Sequence, residues 1–177
     1  MVGSARLMKP LASRPVLRGV VGGAMVGAIG LVLPLTLFSG QTALPMILDD
    51  YAGFGIAMLI ALALFKAAAL GISLGAGFYG GPVFPMFFIG ATLGIAVNLV
   101  FPAIPLAVAV GSIMAALGAA VALLPLSMAI LAAIMIQSGL ETFGAVVVAA
   151  ITAYSIRVAL MRRQVTGDMQ RSASSET

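Results

Sequence analysis

The sequence predicts an all-α integral membrane protein with at least one helix broken inside the bilayer. Three observations carry that prediction. Of 177 residues, 62% are hydrophobic and 8% charged, with a mean hydropathy of +1.21; a soluble domain carries roughly 25% charged residues. The charges are also confined: none occurs between Arg18 and Asp49, or between Lys66 and Glu141, which leaves apolar runs suited to bilayer-crossing helices rather than the alternating segments of a β-barrel. The third observation is "GAGFYGGPVFPMFFIGATLG" (75–94), where Gly75, Gly77, Gly80, Gly81, Pro82 and Pro85 interrupt an otherwise membrane-grade run. Non-helical backbone at membrane depth is tolerated where it is buried in protein or lines a water-filled cavity, so the question is what this break faces.

In chain order, residues 1–13 form a basic arm expected to be cytoplasmic, 14–162 a transmembrane domain, and 163–177 a polar tail expected to be disordered. Helices are expected at 15–37, 54–75, 82–100, 105–123, 125–137 and 140–162. The first apolar run, Val16 to Phe38, exceeds the roughly 7–15 residues of a signal-peptide core, so it reads as a helix that stays. "TALPMIL" (42–48) and 125–137 fall short of a crossing, which needs about 20 residues; short or Pro/Gly-interrupted helices point to substrate sites in transporters. Gly19, Gly23 and Gly27, Gly90 with Gly94, and "GSIMAALGAA" (111–120) place small residues on single helix faces, the spacing that lets helices approach closely. Packing within the chain accounts for them as well as a dimer would.

The net charge of +4 sits at the ends. Residues 1–18 hold Arg6, Lys9, Arg14 and Arg18 with no acid, and the C-terminal end holds Arg157, Arg162, Arg163 and Arg171 against Asp168 and Glu176. That pattern anchors both termini at cytoplasmic headgroups and implies an even number of crossings; it is not a nucleic-acid face. With no Cys and no His, disulfides, thiol chemistry and the usual zinc or iron ligands are excluded, and no base is present for serine catalysis. No enzymatic chemistry, cofactor or metal is expected.

Two features remain as site candidates. Lys66 lies mid-helix in 54–75, and an ionisable residue at that depth is a functional candidate, beside a structural ion pair or snorkelling. At the break, Pro82 and Pro85 fall in a first helical turn, where a missing N–H costs nothing. A helix that begins inside the bilayer aims free N–H groups and its positive end at what lies ahead, an anion site in low dielectric. Gly80, Gly81, Pro82, Val83, Phe84 and Pro85 are therefore the anion-binding candidates, through backbone, with a packing kink as the plain alternative. Glu141, Asp49 and Asp50 read as loop-end or interfacial acids, and Gln137 and Ser138 as interhelical hydrogen-bonding groups.

These residues also carry a resemblance. "PVLRGVVGGAMVGAIGLVLPLTLFSGQTALPMIL", "LIALALFKAAALGISLGAGFYGGPVFPMFFIGATLG" and "AVALLPLSMAILAAIMIQSGLETFGAVVVAAITAYSIR" resemble, in that order, the second, inverted-repeat half of the CLC family of voltage-gated chloride channels and proton/chloride antiporters. The likeness runs over about 14–160; its most specific part is a basic residue, an apolar helix, Gly-Gly, and a proline ahead of a small-residue helix, here Lys66, Gly80, Gly81 and Pro85. It implies anion permeation through a multi-pass protein of the plasma (inner) membrane, a homodimeric parent, and two backbone amides that hold the anion, matching Pro82 and Val83. Pro82 has no N–H to donate, which leaves Val83 and Phe84. The family's Gly-Ser-Gly and Gly-Arg-Glu-Gly-Pro loops are absent, as is its tyrosine on a final short helix; Tyr51, Tyr79 and Tyr154 are the tyrosines present, and Tyr154 reads as an interfacial anchor. The expectation is chloride transport as part of a channel or exchanger completed by a chain that supplies the first half. The alternatives are a truncated non-conducting or regulatory subunit, and a different secondary carrier with broken helices.

Overall fold

The computed structural model describes residues 15–37, 40, 43–51, 53–137 and 139–175. The basic arm at 1–13 and Ser138 lie outside them. Among the described residues the chain is helical: α1 (Pro15–Val32), a 3-10 turn (Pro34–Thr36), α2 (Ala43–Asp49), α3 (Ile56–Ala76), α4 (Val83–Val100), α5 (Leu106–Ala122), α6 (Pro125–Met135) and α7 (Leu140–Ser175). Three of these are long and apolar enough to cross a membrane: Ile56–Ala76, Val83–Val100 and Leu140–Gln164. Val16–Val32, Leu106–Ala122 and Pro125–Met135 are shorter apolar helices.

Two ends differ from expectation. The first helix stops at Val32 instead of 37, because Pro34 lacks an N–H and its ring would collide with the carbonyl four residues back. Leu33, ahead of it, is accordingly non-helical at φ −134° and ψ 81°. The last helix runs on to Ser175, not 162, into the segment expected to be disordered. Nothing in 163–175 stops it: there is no proline, and a single glycine, Gly167, weakens a helix by only about 1 kcal/mol.

The core is built around α4. Phe87, Phe88, Ala91 and Ile95 are buried against Leu59 and Leu62 of α3 and against Val110, Met114 and Ala115 of α5; Met128, Ala132 and Val146 extend the cluster through α6 and α7. Gly90 and Gly94 set the α4–α5 distance. A Cβ at Gly90 would sit 2.6 Å from Met114 Cα, and one at Gly94 2.5 Å from Val110 Cα, so backbone lies directly against backbone. Packing within the chain uses this pair. Gly40 tethers the short α2 side: its φ is +85° and a Cβ would meet Phe88 Cδ2 at 2.6 Å, so only glycine fits.

Candidate functional site

The site starts from the proline that ends α1. Past Pro34 the chain makes one 3-10 turn, with Thr36 N–H donating to the Leu33 carbonyl (2.9 Å) and Leu37 N–H to that of Pro34 (3.1 Å). The carbonyls of Thr36 and Leu37 have no continuing helix to supply donors. Lys66, in the middle of α3, supplies them: its Nζ donates to Thr36 O at 2.8 Å and to Leu37 O at 3.3 Å. The same ammonium lies 5.1 Å from the centroid of the Phe88 ring, within cation–π range. Lys66 is 2% exposed and Thr36 3%; the Thr36 hydroxyl donates to Leu33 O at 2.7 Å. The lysine is thus a buried charge held by carbonyls and a ring face, on the wall of the bundle and not snorkelling to an interface.

The second part is the break. α3 ends at Gly77, whose φ of +87° is left-handed. Gly77 N–H donates to Leu74 O (3.2 Å) and Phe78 N–H to Ser73 O (3.0 Å), the paired closure of a Schellman motif, which glycine favours. After Tyr79, Gly80 and Gly81, α4 begins. Its N-cap, Pro82, has φ −76° and ψ −11°, and the Pro82 carbonyl accepts from Met86 N–H at 3.0 Å. Because residues 82 and 85 are prolines, the first turn carries its N–H groups at Val83 and Phe84, which helix geometry leaves without intrahelical acceptors.

A cavity of about 570 Å³ joins the two parts. It is lined by Thr36, by Lys66, Ser73 and Leu74 of α3, and by Tyr79, Gly80, Gly81, Phe84 and Pro85 around the start of α4. Lys66, Gly80, Gly81, Phe84 and Pro85 are therefore brought together. Pro82 and Val83, which the resemblance matches to the anion-holding amides, are not among the lining residues, whereas Phe84 is. Tyr79 is fully exposed at the cavity edge.

Other sequence candidates lie elsewhere. Glu141 is exposed in the first turn of α7, where the helix dipole favours an acid. Asp49 and Asp50 are exposed at the end of α2. Gln137 is exposed at φ +49° just after α6. Tyr154 is partly buried against the core. Among the described residues no group of three or more His, Cys, Asp or Glu could hold a metal ion.

Sequence reasoning missed two residues. Thr36 presents its carbonyl to Lys66, and Arg18, read as a headgroup anchor, donates through Nε to Gly75 O at 2.8 Å, and through Nη2 to the same oxygen. The signal for Thr36 was a proline inside an apolar run paired with a lone lysine in the next helix.

The model of the voltage gated chloride channel family matches residues 1–158. The chain belongs to that family. It is an all-α membrane protein of the CLC type. Relatives carrying the name "Putative ion-transport protein YfeO" come from Escherichia coli strain SMS-3-5 and Escherichia fergusonii, each 36% identical over 97 residues, and from Shigella boydii, 35% identical over 97 residues. That stretch is 54% of this chain and 23% of each relative, so the chain spans under a quarter of the length of those relatives in the aligned region. No solved structure gives a significant match.

Proposed function

We propose that this chain contributes the anion-binding half of a CLC-type chloride channel or exchanger. The observation that carries the reading is one cavity lined both by Lys66 and by Gly80, Gly81, Phe84 and Pro85 around the start of α4. A buried ammonium and a helix N-terminus both favour a negative guest, and in low dielectric neither is well screened. Chloride fits the chemistry: a small anion needs several weak donors and no catalytic group. Phe84 lines the cavity, and its amide, free of an intrahelical acceptor, is the donor assigned to the anion, with Val83 and Pro82 beside it. The chain acts within the inner membrane with both termini cytoplasmic, as a homodimer, and the serine and glutamate loops absent from these 177 residues complete the pathway.

The decisive experiment removes the donor and controls separately for the loss of the ring. Phe84→Pro deletes the amide at a position in the first turn where proline is tolerated, and Phe84→Leu controls for the ring. A backbone hydrogen bond to a charged partner contributes about 1.5–3 kcal/mol, or roughly ten- to hundredfold in affinity. Chloride titrated calorimetrically into the purified protein in lipid nanodiscs is expected to bind that much more weakly to the proline variant than to the leucine variant. Pro82→Ile, which restores an amide off the cavity wall, is expected to change affinity less than threefold. Equal affinities for the Phe84 pair would refute the donor assignment. In liposomes the chain alone is expected to pass little halide; robust selective efflux without a partner would sink the half-pathway reading.

A second reading, a non-conducting subunit, is favoured by Pro82, whose missing N–H weakens the expected amide pair. The efflux experiment with a co-expressed first-half chain separates it: no flux in that complex despite chloride binding is its signature.

A further inference from the structure

The cavity is bordered by two helix ends of opposite polarity, and only one of them is left open. Ser73 and Leu74, in the last turn of α3, and Gly80, Gly81 and Phe84, at the start of α4, line the same space. A helix C-terminus carries about −0.5 of an elementary charge and an N-terminus about +0.5. Left to themselves, the two ends would largely cancel in the cavity between them.

They do not meet on equal terms. The Ser73 carbonyl accepts from Phe78 N–H and the Leu74 carbonyl from Gly77 N–H. The Gly75 carbonyl accepts from both Nε and Nη2 of Arg18, which reaches across from α1 over 57 residues of chain. Three successive carbonyls at the negative end are thereby covered, the last of them by a full positive charge that is partly buried. The α1–α3 contact that delivers it is close: a Cβ at Gly22 would lie 2.3 Å from Ala76 Cβ. At the positive end the prolines at 82 and 85 leave the N–H groups of Val83 and Phe84 outside the helical ladder.

We propose that Arg18 is a positioning residue that keeps the cavity anion-attracting by neutralising the C-terminal end of α3. This rests on the anion reading above and adds to it a residue that touches no ion. Two consequences separate charge from mere tethering. Arg18→Gln keeps an N–H donor able to reach a carbonyl but removes the charge; Arg18→Lys keeps the charge on a shorter, single-point donor.

The test is chloride titrated calorimetrically into the wild-type chain and both variants in nanodiscs, alongside thermal unfolding of each. Arg18→Gln is expected to bind chloride about tenfold more weakly, at an unfolding temperature close to that of wild type, and Arg18→Lys to stay within about threefold of wild type, the scale of one screened charge near a partly buried site. Wild-type affinity in Arg18→Gln would overturn the proposal, and so would affinity losses that merely track unfolding temperature across the variants. Those results would leave the anion reading standing if the wild-type chain binds chloride. A wild-type chain that binds no chloride would remove both.

Discussion

The α4–α5 interface and the α1–α3 interface are both contacts between apolar helices, yet they are held by different means. At α4–α5 the glycines do the work of side chains by their absence: Gly90 and Gly94 bring main chain to within van der Waals distance of Met114 and Val110. At α1–α3 the glycine stripe is mostly idle. Cβ atoms at Gly19 and Gly23 would only reach the Phe78 ring at 3.9 and 4.0 Å, and one at Gly27 would meet nothing within 4 Å. The close approach there is at Gly22, outside that stripe, where a Cβ would lie 2.3 Å from Ala76 Cβ, and polar reach adds to it: Arg18 to Gly75, and Lys66 to Thr36 and Leu37 just past α1. The same sequence signature, small residues four apart, therefore serves dense packing in one place and leaves an open face in the other. The cavity is lined from the side where Lys66 makes its hydrogen bonds to the turn after α1.

The comparison can be broken from the polar side first. Lys66→Met keeps the length of the side chain but orphans two carbonyls, and each buried acceptor left unsatisfied costs about 1–3 kcal/mol. A loss of about 3 kcal/mol is expected in detergent unfolding, one of the larger single-residue effects in this chain. A variant as stable as wild type would mean that water or lipid replaces the ammonium, and that the α1–α3 contact does not depend on it.

Next comes the packed side, as a pair. Gly94→Ala forces a methyl group against Val110 main chain, which cannot swing away, and is expected to cost about 2 kcal/mol. Gly27→Ala meets open space and should stabilise by up to about 1 kcal/mol through helix propensity alone. Opposite signs for one chemical change would sharpen the contrast between the two faces. Equal losses would show that Gly27 contacts something in the membrane that packs as tightly as Val110.

The smallest effect belongs to a backbone detail outside both interfaces. Gln137 is left-handed at φ +49°, and a non-glycine residue there carries roughly 1–2 kcal/mol of unfavourable conformation. Gln137→Gly is expected to raise stability by about 0.5–1 kcal/mol, after the extra entropy of an unfolded glycine is subtracted. A loss instead would assign the Gln137 side chain a contact that outweighs its backbone.

How much of this was legible depends on what kind of group each feature uses. The cores of α3, α4 and α7 follow from uninterrupted apolar length, and the Gly-Gly-Pro break announces a helix start by itself. The end of α1 was legible too, had Pro34 been weighed over the run of apolar residues around it. Lys66 could be picked out as a buried charge, but not its partners: they are backbone carbonyls 30 and 29 residues upstream, and a carbonyl has no residue type. The same holds for Arg18, whose acceptor is the main chain of Gly75. Which residue of the α4 first turn lines the cavity was also out of reach, because neighbouring residues differ by about 100° around a helix and local sequence does not set that phase. Packing sets it, and it puts Phe84, not Pro82 or Val83, among the lining residues.

The order of synthesis gives the Lys66 contact one more consequence. A lysine near the middle of a membrane helix adds about 2.5–3.5 kcal/mol to the free energy of insertion from the translocon. Its acceptors, Thr36 and Leu37, precede it in the chain, so they leave the ribosome first and are already beside the bilayer when Lys66 emerges. The charged helix can enter against a waiting acceptor instead of alone. Placed in the reverse order, the same two groups would give the same folded contact but a harder path to it.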